Sequence, residues 1–140
     1  MESTLEYLTA SDWALIATKA ERVAFRLGQE IITQGTPIEV VYIILHGSAS
    51  VELGTPHSPI VLAALGQGEV CDEMAFLRKG IASATVVAKD MEVVADAIYV
   101  SDLRLLIETF PGFAARFFHS LATILAKRLQ HASAELIRYR

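Results

Sequence analysis

The sequence holds one cysteine, Cys71, in 140 residues. A lone thiol cannot close an internal disulfide, so the fold carries no covalent staple, and a reducing, cytoplasmic setting fits. Long hydrophobic runs are also missing: 53% of the residues are hydrophobic, yet no stretch approaches the ~20 apolar residues that span a bilayer. The opening MESTLEYLTASDW has acidic residues and no apolar h-region, so no signal peptide is expected. Charge is scarce, at 20% of residues with a net of -4, and this lacks the basic excess of a general nucleic-acid binder. The four histidines, His46, His57, His119 and His131, show no paired ligand spacing, and no metal is expected. Ser48, Ser50 and Ser58 lack a nucleophile-elbow context. Asp72 and Glu73 are neighbours in sequence, and neighbours on a helix do not face each other as an acid/base pair must. Acidic neighbours disfavour a thiolate at Cys71, which reads as a small apolar residue at a strand end. None of these features supports an enzyme.

What is present suits one domain. A chain of this length buries roughly two-thirds of the surface that its unfolded form exposes. Few charges and many apolar residues imply a sticky, self-associating face. Ser11 reads as the N-cap of a first helix, with Trp13, Ile16, Ala17 and Ala20 on one face. Short strands then follow in turn: Arg22 to Leu27, Glu30 to Thr33, Val40 to Leu45, Ser48 to Leu53, Ile60 to Leu65, Ser83 to Ala88 and Met91 to Val100. Ser101 is expected to cap a helix through Thr109, and Pro111 suits the first position of a last helix ending near Arg138. On that helix Phe118, Leu121, Leu125, Leu129, Ala132 and Leu136 recur at steps of three and four, widened by Phe117 and Ile124. The pattern predicts an α+β protein: a β-roll of jelly-roll type with about eight strands, an N-terminal helical part (1–22), the roll (23–100) and two C-terminal helices (101–140). The long stripe exceeds what a small roll can cover. Its first half is expected to pack inward and its second half to pair with a twofold mate, the candidate seam being Leu121, Leu125, Leu129, Ala132 and Leu136.

Charge is placed unevenly. From Gly112 onward five arginines and lysines face Glu135 alone, a net of +4 that leaves -8 on residues 1–111. The simplest reading is a helix whose cationic end complements its own macrodipole. The other is a basic segment that docks on an acidic body, in this chain or a partner.

Gly66 to Ala88 concentrates the candidate chemistry. Gly66 and Gly68 permit a sharp turn, Asp72 can cap a short helix through Leu77, Gly80 turns the chain, and Ser83 begins the returning strand. A helix N-terminus facing a hydroxyl-bearing strand across a glycine turn is a candidate anion cradle.

A wider pattern runs in order along the chain: Phe25-x-x-Gly28, Ile31, Gln34-Gly35, Tyr42-x-Ile44-Leu45-x-Gly47, Gly68-x-x-x-x-Glu73-Met74-Ala75-x-Leu77 and Ser83-Ala84-Thr85-Val86. With these motifs the chain resembles the cyclic nucleotide-binding domain of the catabolite-activator superfamily of regulators, from about residue 10 to residue 138. The resemblance implies cyclic AMP or cyclic GMP as ligand, with the phosphate at the short helix, a glutamate on the ribose hydroxyl, an arginine on the phosphate and the C-terminal helix as lid. The implied cradle is Gly68, Asp72, Glu73, Met74, Ala75, Ala82, Ser83 and Ala84. Glu73 keeps the ribose position, Met74 and Ala75 continue the helix, and Ser83, Ala84 and Thr85 match the strand motif. Asp72 stands where the family has glycine, and Ala82 where it has the phosphate-pairing arginine. In DNA-binding relatives the last helix is longer and leads to a helix-turn-helix; this sequence stops at Arg140, which implies the binding domain without a DNA reader.

Both departures weaken an anion site. Removing one partner of a buried charge pair costs about 2–5 kcal/mol, or about thirty- to several-thousand-fold in affinity. A carboxylate about 4 Å from the phosphate adds repulsion of about 4 kcal/mol at an effective dielectric near 20. Arg78 and Lys79 follow the helix and are expected to face solvent. The expectation is a regulatory module that holds cyclic AMP or cyclic GMP weakly or not at all, needs no cofactor, and works through a homodimer or a partner protein. The alternative is a genuine sensor that takes a cyclic nucleotide or another small metabolite in the same cradle.

Overall fold

Why β3 (Val40–His46) is apolar along most of its length is clear from its position: it has a core on each side. Val41 and Ile43 point into one apolar cluster, and Tyr42 and Ile44 into another. A strand covered on both faces loses the alternation of a half-exposed one. The computed structural model of the chain describes residues 4–71, 76–77 and 80–138. Among the described residues eight antiparallel strands form two sheets. The first has the order β1-β8-β3-β6, with β1 (Glu21–Arg26), β8 (Glu92–Tyr99) and β6 (Val70–Cys71) around β3. The second has the order β2-β7-β4-β5, built from β2 (Glu30–Ile32), β7 (Thr85–Ala88), β4 (Ala49–Leu53) and β5 (Ile60–Leu65). Among the described residues three helices complete the fold: α1 (Ala10–Ala17), α2 (Val100–Thr109) and α3 (Pro111–Arg138). This is the β-roll with one N-terminal and two C-terminal helices that the sequence pattern predicts.

The inner cluster fills the roll, with Phe25, Ile32, Ile44, Val86 and Val93 among its members. The other cluster lies between the first sheet and the helices, and joins Val41, Ile43 and Ile98 to Leu103, Phe113 and Phe117. Burying side chains of this size stabilises by about 1.5–3 kcal/mol each. At one corner the chain passes very close to itself. Gly47 has φ +88, and a Cβ there would lie 2.8 Å from the carbonyl oxygen of Glu92. That turn admits only glycine.

Helix ends differ from the sequence reading. The N-cap of α1 is Thr9 and not Ser11: Thr9 Oγ1 accepts from the Asp12 N–H, and Asp12 Oδ2 accepts from the Thr9 N–H. The expected apolar face of Trp13, Ile16, Ala17 and Ala20 is buried only at Ile16. Asp12 takes the other buried position, at 1% exposure. Its carboxylate accepts from Arg116 Nε at 2.6 Å and Nη2 at 2.9 Å, which turns this edge of α1 toward α3. Strand β8 runs directly into α2, so that helix begins at Val100 with no side-chain cap, and Ser101 lies inside it.

Among the described residues of α3 the buried apolar ones are Phe113, Phe117, Leu121 and Ile124, while Phe118, placed on the stripe by its spacing, is exposed. Two of the basic residues on α3 find acidic partners in the N-terminal segment of the same chain: Arg116 with Asp12, and Lys127 with Glu6 at 3.2 Å. The docking reading of that charge imbalance therefore holds for this pair of contacts. Exposed apolar residues gather at Ile60, Val61 and Leu62 on β5, the free edge of the second sheet, and at Leu129 and Leu136 on α3.

Two outcomes follow for stability. Gly47→Ala is expected to destabilise by at least the ~1–2 kcal/mol of a left-handed non-glycine residue, and further through the backbone clash. Gly35→Ala, at φ +86 but with nothing within 4 Å, should cost only the first part; urea titration of both variants checks the difference. The Arg116 guanidinium hydrogen-bonded to Asp12 holds its carboxyl down at about 2, against an ordinary 3.8. Stabilisation from this depressed group is complete above the ordinary value and is lost as pH falls through the folded one. Asp12→Asn should therefore lower stability near neutrality by about 1.5–3 kcal/mol, the worth of hydrogen bonds to a charged group. Its melting curve should converge with that of the wild type as pH falls from 4 toward 2. Parallel curves across that window would refute the assignment.

Candidate functional site

The loop that leads into the candidate cradle is fixed by its own backbone. Gly68 adopts φ +85 and donates to the Ile44 carbonyl at 2.7 Å, and Ile44 donates to the Glu69 carbonyl at 3.0 Å. The buried Glu69 side chain closes the turn by accepting from the Gly66 N–H at 2.7 Å. Strand β6 then pairs Val70 with Ile43 and Cys71 with Tyr42. Cys71 is buried in the inner cluster. The next four candidates, Asp72, Glu73, Met74 and Ala75, lie outside the described residues, as do Arg78 and Lys79.

Beyond them the chain is held again at Phe76. Arg104 on α2 donates to the Phe76 carbonyl at 3.0 Å and sets its guanidinium 4.9 Å from the centre of the Phe76 ring. The same ring meets Phe117 of α3 edge-to-face at 5.5 Å. A cation over a ring face and an edge-to-face aromatic pair are each favourable beyond simple burial. The segment that follows the cradle is thus tied to both C-terminal helices.

The far wall is set by pairing with the Gly35–Ile38 turn. Ala82 donates to the Thr36 carbonyl at 2.8 Å, and Gly35 donates to the Ala82 carbonyl at 2.9 Å. Pro37 bridges Ile81. Ala82 is 3% exposed and belongs to the apolar cluster inside the roll; Ala84 is buried and Ser83 is exposed. The position that the family resemblance reserves for a cation is therefore a methyl group in apolar surroundings. Several cations among the described residues are engaged elsewhere: Lys89 with Glu52, Arg22 with Asp96, Arg116 with Asp12, Lys127 with Glu6 and Arg104 with Phe76.

Gly68 sits in the turn before β6, while Ala82 and Ala84 are buried and Ser83 is exposed at the start of the returning strand; Asp72 to Ala75, between them in sequence, lie outside the described residues. Of the candidate seam on α3, Leu121 is buried in this chain's own core and is not available to a mate. Leu125 is half-buried and Ala132 is exposed. Leu129 and Leu136 are 69% and 72% exposed. Sequence reasoning missed two contacts, Asp12 with Arg116 and Arg104 with Phe76. The Thr9-x-x-Asp12 spacing signals a capping box, but nothing local couples Asp12 to a residue 104 positions away. Among the described residues no group of three or more His, Cys, Asp or Glu could hold a metal ion, and no helix is long and apolar enough to cross a membrane.

Comparison with known proteins points the same way as the fold. The family model described as "Cyclic nucleotide-binding domain" matches residues 22–109. The chain is 35% identical over 120 residues to the Cyclic AMP receptor protein of Thermus thermophilus, covering 83% of this chain and 52% of that protein. It is 27% identical over 137 residues to Cyclic GMP-binding protein C of Dictyostelium discoideum, covering 92% of this chain and 5% of that protein. The chain thus spans about half of the first relative and a small fraction of the second. A solved cyclic nucleotide-binding domain from Methylobacillus flagellatus superposes with a TM-score of 0.84 at 18% identity, over 95% of this chain and 75% of that one, a likeness of fold.

Proposed function

The chain belongs to the cyclic nucleotide-binding domain family, and on that footing we propose that it is a non-enzymatic, cytoplasmic regulatory module whose phosphate cradle has lost its grip on the common cyclic nucleotides. It acts instead through a homodimer or a partner protein. The observation that carries this reading is Ala82: a buried methyl among apolar neighbours offers no charge to a phosphodiester, and a phosphate without a cation or enough amide donors there must shed water for little return. Asp72 strengthens it, since the sequence puts a carboxylate where the family pattern has glycine, and its charge repels an anion.

A second reading has specific support. The names of the Thermus and Dictyostelium relatives state binding to cyclic AMP and cyclic GMP, and Glu73 and Ser83 remain as possible ribose and phosphate contacts. On that reading the chain is a sensor of a cyclic nucleotide or another small metabolite.

Calorimetric titration with cyclic AMP and cyclic GMP separates the two. The expected result is no binding at micromolar strength by the wild type and a gain in Asp72→Gly with Ala82→Arg. Micromolar or tighter binding by the unmodified chain would establish the sensor. For the dimer, the exposed Leu129 and Leu136 supply the continuation of the buried stripe on α3. In sedimentation, Leu129→Glu with Leu136→Glu should convert a dimer to a monomer with unchanged helicity; a wild type that is monomeric at every concentration would remove the dimer from this account.

A further inference from the structure

The first described residues lie along α3 and end at the cradle loop. Glu6 pairs with Lys127, and the Tyr7 N–H donates to Ser120 Oγ at 3.1 Å. The Tyr7 ring stacks on the His119 imidazole at 3.8 Å and 9°. Asp12 holds Arg116 with two hydrogen bonds. Residues 116, 119, 120 and 127 recur at helical spacing, so the contacts fall on one face of α3. Ser120 is fully buried and saturated: it accepts from Tyr7 and donates to the Arg116 carbonyl at 2.9 Å. Leu5 is sunk in the core between sheet and helices. At the other end Thr4 bridges Glu69, and a Cβ on Gly68 would lie 3.5 Å from Thr4 Cγ2.

We propose that residues 4–12 form a strap that couples the 66–69 loop to α3, so that a displacement at the mouth of the cradle is passed to the C-terminal helix through the N-terminal segment. Two properties make it a transmitter and not simple padding. It touches both bodies directly, and several of its contacts with α3 are polar and directional, so sliding it along α3 breaks them together. Among the described residues Glu6 meets α3 at Lys127, and the exposed Leu129, Ala132 and Leu136 follow it along the helix. A shift of the strapped part of α3 therefore re-aims the exposed stripe. This rests on the cradle as the regulated site and names its route, but its test needs no ligand.

The test is hydrogen–deuterium exchange on the full chain in a two-by-two set. Gly68→Ala perturbs the loop, through a positive φ and a new methyl facing Thr4. Glu6→Gln with Tyr7→Ala loosens the strap on its exposed side and leaves the Asp12 pair intact. Gly68→Ala is expected to speed exchange of α3 amides 116–127 by about threefold or more while the amides of β1, β3 and β8 keep their protection, and to lose this distant effect once the strap is loosened. The proposal is overturned if faster exchange is confined to the loop, spreads equally over the sheet, or is the same with and without the strap contacts. Should Gly68→Ala fail to fold, Thr4→Ala is read in the same way. Failure of the titration above leaves these outcomes unchanged, so the two readings fail separately.

Discussion

Double coverage of the first sheet is the constraint on which the structure depends. One face of β3 closes the roll and the other must be sealed by helices, because Val41, Ile43 and Ile98 cannot be left in water. Helix α3 supplies the largest share of that seal through Phe113, Phe117, Leu121 and Ile124, joined by Leu103 and Leu106 of α2. The seal fixes where α3 starts and which face it turns inward. It also decides what remains outward, since a helix of 28 residues runs beyond the sheet it covers. The Asp12–Arg116 pair then orients α1 against the seal, using a buried carboxylate whose cost of desolvation is met by a two-pronged guanidinium.

The candidate site sits where these layers meet. On one side the Gly66–Glu69 turn is closed by the buried Glu69 carboxylate. On the other, Ala82 is held by backbone pairing to the Gly35–Ile38 turn. Phe76 connects the intervening segment to α2 and α3. The proposed coupling of the mouth to the helices runs through these contacts and does not depend on whether a guest is an anion, a neutral molecule or part of another protein. On the proposed function the chemistry of a guest turns on the residue types at Asp72 and Ala82, and the mechanical connection on the contacts of Phe76 with Arg104 and Phe117.

Much of the architecture was legible because it is written in local signals. Alternation in β4, the apolar run of β3 and the proline that opens α3 gave the order of elements and the α+β class. The candidate cradle rests on glycine spacing and the Glu73 and Ser83 motifs, and the departures at Asp72 and Ala82 from the family pattern are visible as plain substitutions. What local pattern does not carry is pairing over long separations. Asp12 reads as an exposed helix residue until Arg116 is brought beside it. Phe118 and Phe117 have equal claims to the inner face until the sheet selects Phe117. Helix starts were misjudged at Ser11 and Ser101 for a related reason: a serine suits a cap, but Thr9 had the reciprocal partner, and β8 delivers α2 without needing one.

The Asp12–Arg116 pair joins positions 104 residues apart. A polypeptide emerging from the ribosome would have to complete the whole roll and begin its last helix before α1 could find its counter-charge. The entropy of closing so long a loop grows only slowly with its length, but it is met before the contact gives anything back. Of the described helices α1 comes first along the chain, yet the contact that secures it waits for α3, and until then the Asp12 carboxylate has water as its partner.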